Sequence, residues 1–376
     1  NTTDVLLGAL KLTSTNENIN VEQVGLQISG VASNTPQDLV KVTLWDGATK
    51  VGEAVFTNDN ATATLTNFTV PKDSDKTLLI KGDLAAIGTS LPGRPGHRVI
   101  VDYDSDAGDA AGDATRGTGV SSGSKVYATG SDSATAGVRV FKAYPTLAKI
   151  AIPSTTLVDG QLTLFRLSLT APAAGQGVAL YKFTFDTSTS GGTSATSYRI
   201  TDFQMYGYSD SSFSQPAYGS SGLLNSTALA TTDDAVDTNG IVEIYFNPVG
   251  APTATNEAIQ VPSGTTRYFD LKATVTGSTA TTTLSVQLEG DDAYLKSATS
   301  TQAGAYGDDF FASSAAGANY AFATTASLVD ADNNHDDFIW SDNATTTSTV
   351  NHYDWVNGYL VPGLPGTNVS PNNLIR

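Results

Sequence analysis

Apolar and polar residues alternate along much of this chain, and one alternating stretch occurs twice. Leu7, Leu10 and Leu12 are followed by alternating apolar residues over 21–28. A similar stretch begins at Leu164, 157 residues later, and continues over 178–185 without a gap in the match. A period of two is typical of strands with one buried face. Each copy therefore predicts two short strands joined by a polar connection.

Both copies contain a three-residue step between apolar positions, from Leu7 to Leu10 and from Leu164 to Leu167. Because strand side chains alternate between faces, such a step moves the apolar side to the opposite face. A β-bulge produces this change, and so does an edge strand that crosses from one sheet of a sandwich to the other.

The later segments of the two copies also match, in the same order. Segment 42–45 ends at Asp46-Gly47, a signal for a two-residue hairpin, and 203–206 takes its place in the second copy. Segments 70–81 and 99–103 match 261–272 and 284–288. Matches in constant order indicate a tandem duplication. Short strands separated by turn residues predict antiparallel sandwiches.

The predicted fold is all-β, with tandem immunoglobulin-like antiparallel β-sandwiches and a loop-rich C-terminal extension. The expected domains are residues 1–142, residues 143–325 (a duplicate with insertions) and residues 326–376. The extension has no counterpart in the repeat and is too short and polar to form a core of its own. We expect it to pack on the second sandwich, on a neighbouring subunit, or on both.

Composition narrows the classes of function. Charged residues make up 15% of the chain, against roughly 25% in an average globular protein, which disfavours long surface helices. The absence of cysteine excludes thiol enzymes, zinc-cysteine sites and disulfide scaffolds. The net charge of −17 argues against nucleic-acid binding and against docking on an anionic membrane. Acidic excess favours divalent cations, calcium above all, or simply solubility.

The sequence shows no membrane span and no signal peptide. The chain opens on Asn1 rather than Met, so we expect a processed, exported form. The expected localisation is extracellular, at the cell surface.

Two acidic runs place oxygen atoms at alternate positions, an arrangement that can surround calcium with its six to eight oxygen ligands. A solvated acidic turn, or the outward face of a strand, is the alternative for each run. The candidate metal ligands are Asp330, Asp332, Asn334, Asp336 and Asp337 in one run and Asp102, Asp104 and Asp106 in the other.

Catalytic motifs are sparse. His97, His335 and His352 are the only histidines, so a catalytic triad or a histidine metal site would have to use one of them. Gly119-Val-Ser121-Ser-Gly123 fits the nucleophile-elbow pattern, but no buried strand leads into it and no helix follows. Acidic pairs of the glycosidase kind are assembled by the fold and are invisible in sequence. We predict that the protein is not an enzyme.

Aromatic residues cluster in an insertion of the second copy at Tyr206, Tyr208, Phe213 and Tyr218. They are expected to cover an end of the sandwich or to anchor an interface, in preference to stacking on sugars. Asn-x-Ser/Thr sequons permit glycosylation of an exported protein without showing it. The candidate glycosylation sites are Asn60, Asn67, Asn225, Asn343 and Asn368.

Three motifs together resemble a known class of proteins. They are the Val-Thr-Leu-Trp-Asp-Gly hairpin at 42–47, the Val-Pro entry to the strand at 76–81, and the Trp-containing segments at 338–343 and 354–360. This combination resembles secreted immunoglobulin-like-repeat surface proteins of candidate-phyla bacteria, surface-layer or surface-filament subunits. The resemblance implies a structural role at the cell surface and provides no catalytic residues.

These observations predict a structural subunit of a self-assembling extracellular polymer, a pilus-like fibre or a surface layer, with itself as partner. Exposed sheet edges invite pairing with another chain. We expect the region from Thr3 to Leu12 and the tail after Phe338 to join the subunits. The candidate interface residues are Val5, Leu7, Leu10, Leu12, Trp340, Trp355 and Tyr359. A monomeric adhesin or carbohydrate-binding module is the alternative.

Overall fold

The computed structural model describes residues 2–28, 35–105, 114–132, 135–191, 198–225, 240–246, 258–292, 338–344 and 355–376. These residues form an all-β structure whose strand pairs are antiparallel. The chain divides into two compact units, Asn1–Phe141 and Lys142–Arg376. Within the described ranges, no helix is long and apolar enough to span a membrane.

The first unit is a single sheet folded onto itself. Its order is β1-β7-β3-β4-β5-β2-β10-β11, with β6 and β9 also beside β2 and with β8 and β12 paired separately. The strands are β1 (Val5–Ser14), β2 (Ile19–Ile28), β3 (Leu39–Asp46), β4 (Thr49–Ala54), β5 (Asn60–Leu65), β6 (Thr69–Val70), β7 (Ser74–Leu84), β8 (Arg98–Val99), β9 (Val101–Tyr103), β10 (Arg116–Gly119), β11 (Lys125–Tyr127) and β12 (Val138–Arg139).

One apolar core joins the two halves of this sheet. Alternate residues of β1, β3 and β7 and of β2, β5 and β9 are buried in the same cluster. Leu44 and Ile80 on one side and Val24 and Leu26 on the other are all fully buried. The folded sheet is therefore a two-layer β-sandwich, as the alternation of apolar residues predicts.

The second unit is a sandwich of two separate sheets. One has the order β13-β14-β19-β16, and the other surrounds β15, with β20 and β21 along one edge and β17 and β18 along the opposite edge. The strands are β13 (Thr146–Ile150), β14 (Gly160–Thr170), β15 (Val178–Ser190), β16 (Arg199–Tyr208), β17 (Ile241–Tyr245), β18 (Ile259–Val261), β19 (Thr266–Thr276), β20 (Thr283–Leu288), β21 (Phe338–Ser341), β22 (Trp355–Val356) and β23 (Asn372–Ile375).

Aromatic rings fill the core between these two sheets. Phe183 of β15 meets Phe269 of β19 edge to face, with ring centroids 5.4 Å apart. Phe165 of β14 meets Phe185 of β15 in the same way at 5.6 Å. Edge-to-face pairs of this kind add to the stabilisation from burial itself.

The pairing registers of the two units are equivalent along the first strand. Leu10 pairs with Leu78 in unit 1, and the matching residues Leu167 and Phe269 pair in unit 2. In both units the register shifts at the predicted step, where Leu7 and Leu164 are the extra residues. The step is thus a β-bulge, and both leucines are buried. The alternative of a strand that crosses between sheets is wrong.

In the second strand, the gap-free sequence alignment of the two copies differs by two residues from the alignment given by the strand pairing. Leu26 pairs with Tyr103 in unit 1, whereas Phe185 pairs with the matching Leu288 in unit 2. Leu26 therefore corresponds to Phe185 rather than to Phe183. A shift of two keeps every side chain on its own face, so the apolar pattern alone does not reveal it.

The described part of the C-terminal segment belongs to the second unit. β21 pairs with β15, β22 pairs with β21, and β23 pairs with β20. Phe338 stacks on Phe183 with ring centroids 5.2 Å apart. Trp340 is fully buried, and its indole N–H donates to the Asn357 carbonyl at 3.1 Å. The tail thus completes the core of the second sandwich.

Replacement of Trp340 by alanine should destabilise the second unit by about 3–5 kcal/mol, because it removes a buried aromatic side chain and leaves a cavity. The measurement is chemical denaturation followed by tyrosine and tryptophan fluorescence. Leu360→Ala is the matched control, since Leu360 is 45% exposed and its replacement should change stability by less than about 0.5 kcal/mol. Equal effects of the two substitutions would contradict the placement of Trp340 in the core.

Candidate functional site

The first strand of unit 1 is paired along only one of its edges. β1 lies at the end of its sheet and pairs with β7. Its counterpart β14 lies between two strands, β19 on one side and β13 on the other. β13 pairs with residues 166–170 of β14, which correspond to residues 9–13 of β1. Among the described residues, no strand occupies the corresponding position beside β1.

Unit 2 shows which backbone groups face this edge. The N–H of Leu147 points away from β14 and donates to the Gly363 carbonyl at 2.8 Å. Because backbone groups alternate along an antiparallel pair, the neighbouring residues Thr146 and Ala148 bond to β14. Their partners in β14 are Thr170 and Ser168.

The same alternation applies to β1. Ser168 corresponds to Lys11, Thr170 to Thr13, and Arg166 to Ala9. The N–H and C=O groups of Ala9, Lys11 and Thr13 therefore face the open edge. All three side chains are exposed, so another strand can approach along this stretch without displacing core residues.

A lysine on an edge strand usually opposes edge-to-edge pairing, and Lys11 stands in the middle of this stretch. Its ammonium group forms an ion pair with Asp75 of β7. Both side chains are largely exposed, so this pair contributes little to stability. It does balance the local charge at the edge.

The predicted interface residues divide into two groups. Leu7 is 4% exposed, Leu10 is 7% exposed and Trp340 is fully buried. Their prediction as inter-subunit contacts is wrong, because their side chains already belong to the cores of their own units. Val5, Leu12 and Tyr359 are partly exposed, and Trp355 lies in the short strand β22.

The first acidic run lies at the end of β9, and two of its carboxylates are buried and hydrogen bonded. Asp102 Oδ1 accepts from the Thr135 N–H at 2.7 Å, and Asp104 Oδ2 accepts from the Asn60 side-chain amide. Asp106 lies outside the described residues, as do Asp330, Asp332, Asn334, Asp336 and Asp337. Within the part of the chain that is described, no group of three or more histidines and carboxylates is arranged to hold a metal.

His97 takes part in a buried network at the start of β3. Its Nδ1 lies 2.7 Å from Asp38 Oδ2, and both residues are buried. Asp38 also accepts from the Thr35 N–H at 2.9 Å and from the Arg94 N–H at 3.2 Å. The carboxylate thus ties the turn at 35–38 to the segment at 94–97, which is a structural arrangement. His335 and His352 lie outside the described ranges.

The Gly119–Gly123 motif forms the turn of the β10–β11 hairpin. Glu17 Oε2 accepts from the Ser121 N–H at 2.7 Å and from the Ser122 N–H at 3.0 Å. The Ser122 hydroxyl, followed by these two N–H groups, holds the pKa of Glu17 below its usual value. The motif is therefore the turn between two strands, whereas a nucleophile elbow is a turn between a strand and a helix.

Both units carry an aromatic residue with a lysine over its ring on the outer face of the sheet. Lys81 lies 4.1 Å from the centre of the Trp45 ring, and the matching Lys272 lies 4.6 Å from that of Tyr206. In unit 2 the insertion after β16 folds back over this face, where Phe213 covers the Arg166 guanidinium at 3.9 Å. Tyr218 donates to the Gln260 carbonyl at 2.9 Å. The cluster therefore covers the outer face of this sheet, whereas the expectation from sequence was that it covers an end of the sandwich or anchors an interface.

The sequons lie in different surroundings. Asn225 is buried, accepts from the Met205 N–H and donates to the Phe203 carbonyl, each at 2.8 Å. Asn225 as a glycosylation site is therefore wrong, because its amide is inaccessible and already hydrogen bonded. Asn60, Asn67 and Asn368 are exposed, and Asn343 is partly exposed.

No protein-family model matches the chain, and no curated protein matches it. Solved structures with some similarity include the serine-rich repeat protein Srr2 of Streptococcus agalactiae (10% identity, 75% of this chain and 79% of that one, TM-score 0.18). A second is the C-terminal domain of the antigen I/II-family protein AspA of Streptococcus pyogenes (10% identity, 76% of this chain and 90% of that one, TM-score 0.21). A third is the collagen adhesin of S. aureus (11% identity, 76% of this chain and 86% of that one, TM-score 0.16). TM-scores this low leave the function to be argued from the chain's own residues.

The β10–β11 hairpin should lose its attachment to Glu17 in acid. Because the pKa of Glu17 is lowered in the folded state, its contribution is complete above the unfolded value of 4.5 and disappears as pH falls through the lower folded value. Amide-exchange protection of Ser121 and Ser122 should decrease over that range. In Glu17→Gln the protection should be independent of pH, and equal pH dependence in both proteins would contradict the role of Glu17.

Proposed function

We propose that this protein is a structural subunit of a self-assembling extracellular polymer, a surface filament or a surface layer. Subunits join when a strand from another copy pairs with the open edge of β1. The observation that carries the proposal is that the two end strands of the unit 1 sheet, β1 and β11, are each paired along one edge only among the described residues.

Pairing at such an edge depends mainly on backbone groups. Each hydrogen bond contributes about 0.5–1.5 kcal/mol net, so a strand as short as β13 gains several kcal/mol from its backbone. Strand addition to a sheet edge is a general mode of association. A stable polymer also needs contacts between side chains around the joint.

Composition supports an extracellular location for this polymer. The chain has no cysteine and few charged side chains, and it combines strands with many turn residues. Its resemblance to secreted surface proteins with immunoglobulin-like repeats leads to the same location. The strong negative charge disfavours a role on nucleic acid or on an anionic membrane.

A monomeric surface adhesin or carbohydrate-binding module is the second candidate. Its support is the outer face of unit 2, where Tyr206 and Phe213 are partly exposed beside Lys272 and Arg166. Aromatic rings with adjacent polar groups are suited to sugar binding. An adhesin of this kind would remain a monomer, which separates the two candidates.

Calcium is part of the proposal as a stabiliser of the assembled form. The expected ligands are the two acidic runs named above, which hold oxygen atoms of the type that calcium prefers. Removal of calcium with a chelator should loosen the polymer, as seen by electron microscopy. A polymer that is unchanged by chelation would remove calcium from the proposal and would leave the edge-pairing proposal intact.

Replacement of Lys11 by proline should abolish assembly. Proline removes the N–H that faces the open edge, and edge strands accept proline where the N–H points away from their neighbour. Lys11→Ala is the matched control, because it removes the same side chain and the ion pair with Asp75 but retains the N–H. Sedimentation velocity and electron microscopy should show polymers for wild type and Lys11→Ala and dispersed chains for Lys11→Pro.

The circular dichroism spectra and thermal unfolding of the two variants should be similar. If Lys11→Pro assembles as well as Lys11→Ala, the edge of β1 is not the joint. If the wild-type protein remains monomeric under all conditions that include calcium, the polymer is wrong and the adhesin becomes the favoured function.

A further inference from the structure

We propose that the strand that fills the open edge of β1 is β11 of the next copy, so that subunits join head to tail through unit 1. This inference rests on the proposed function and names the partner surface. The sheet of unit 1 runs from β1 at one end to β11 at the other. Each end strand is paired along one edge only within the described residues.

The hydrogen bonds of the β10–β11 hairpin show which groups of β11 are available. Gly119 N–H donates to the Ser124 carbonyl and Ala128 N–H donates to the Thr115 carbonyl, each at 2.9 Å. Because backbone groups alternate, the N–H and C=O groups of Lys125 and Tyr127 face away from β10. Both side chains are exposed.

Exposed apolar side chains lie beside both ends of this sheet. Leu6 of β1 is 57% exposed and Tyr127 of β11 is 49% exposed. Single exposed apolar residues are ordinary, but these two belong to the strands at the two ends of the sheet. Burial of these side chains would supplement the backbone hydrogen bonds of the joint.

Charge distinguishes between the possible pairings. Two β1 strands paired about their centre would place Lys11 opposite the Lys11 of the other copy, and like charges directly opposite each other are destabilising. An antiparallel pair of β1 with β11 can place Tyr127 opposite Lys11 and Lys125 opposite Thr13. In this register the outward-facing backbone groups of the two strands meet, and a lysine meets an aromatic ring.

The hairpin that presents β11 is already formed in the single chain. Glu17 binds the N–H groups of Ser121 and Ser122 at its turn, and β10 pairs with β2. Little conformational entropy is therefore lost when β11 docks. Because β1 and β11 are different surfaces, their pairing is heterologous and propagates into a ring or an open fibre.

Complementary blocking of the two edges tests this arrangement. Tyr127→Pro removes an outward N–H of β11, as Lys11→Pro does for β1, and Tyr127→Ala is its matched control. Each proline variant alone should be monomeric, because it retains only one functional edge. An equimolar mixture of the two should form a dimer of twice the 38.9 kDa chain mass and nothing larger, as measured by sedimentation velocity.

The outcomes separate this inference from the proposed function. If Tyr127→Pro polymerises like wild type while Lys11→Pro does not, β1 is a joint but β11 is not its partner. If the mixture of proline variants remains monomeric although wild type polymerises, the head-to-tail pairing is likewise overturned. If wild type itself never assembles, both proposals fail together.

Engineered cysteines test the register, since the chain has no cysteine of its own. Paired residues of neighbouring strands lie within the Cα distance that a disulfide spans. Thr13→Cys mixed with Lys125→Cys should give a disulfide-linked dimer on oxidation. Thr13→Cys mixed with Val126→Cys is the control and should give much less. Equal yields would contradict the register, and efficient linkage of Thr13→Cys with itself would indicate pairing of two β1 strands.

Discussion

A strand has two edges, and the hydrogen-bonding groups on both edges must find partners. This constraint organises the protein more than any single side chain does. In unit 2 the central strand β15 is covered on both edges, by β17 and β18 on one side and by β20 and β21 on the other. Residues 178–185 of this strand are all buried, so both faces are covered there as well as both edges.

The C-terminal segment follows from the same constraint. Without β21, half of one edge of β15 would lie open inside the unit, and Phe183 would lose the ring that stacks on it. The buried carboxylate of Asp291 supports this insertion, because it accepts from the N–H of Gly358 at 2.7 Å and of Phe338 at 3.4 Å. A segment too polar to fold by itself is stabilised here because it pairs with an edge of β15.

The sequence predicted the elements whose period is long and regular. The two copies of the first strand follow from apolar spacing, and so does the step at Leu7 and Leu164 that the structure resolves as a bulge. The hairpin near Asp46 follows from turn chemistry, although the pairing of Asp46 with Thr49 places its two-residue turn at Gly47-Ala48 rather than at Asp46-Gly47. The two-residue displacement of the second strand was invisible, because an even shift preserves the pattern. β13 and the β10–β11 hairpin were missed because each is short and carries polar or small residues.

The candidate site depends on those missed elements, so little of it could be predicted. Apolar spacing identifies Leu10 and Leu12 as residues of a strand, but it does not show which neighbour lies beside that strand. Only the sheet order shows that this edge has a partner strand in unit 2 and none among the described residues of unit 1. Residues that looked like interface anchors, such as Trp340, proved to be core residues because large apolar side chains have the same appearance in either role.

The two units thus treat the ends of their sheets differently. In unit 2, Leu147 N–H on the outer edge of β13 donates to the Gly363 carbonyl. Ile375 N–H of β23 donates to the Thr155 carbonyl. The insertion after β16 returns beside that strand at Leu223. In unit 1, β1 and β11 have no equivalent covering segment among the described residues. Within the described residues, the insertion and the C-terminal tail of unit 2 therefore supply partners for edges of its sheets, and the same constraint explains why a tail without a core of its own is part of that unit.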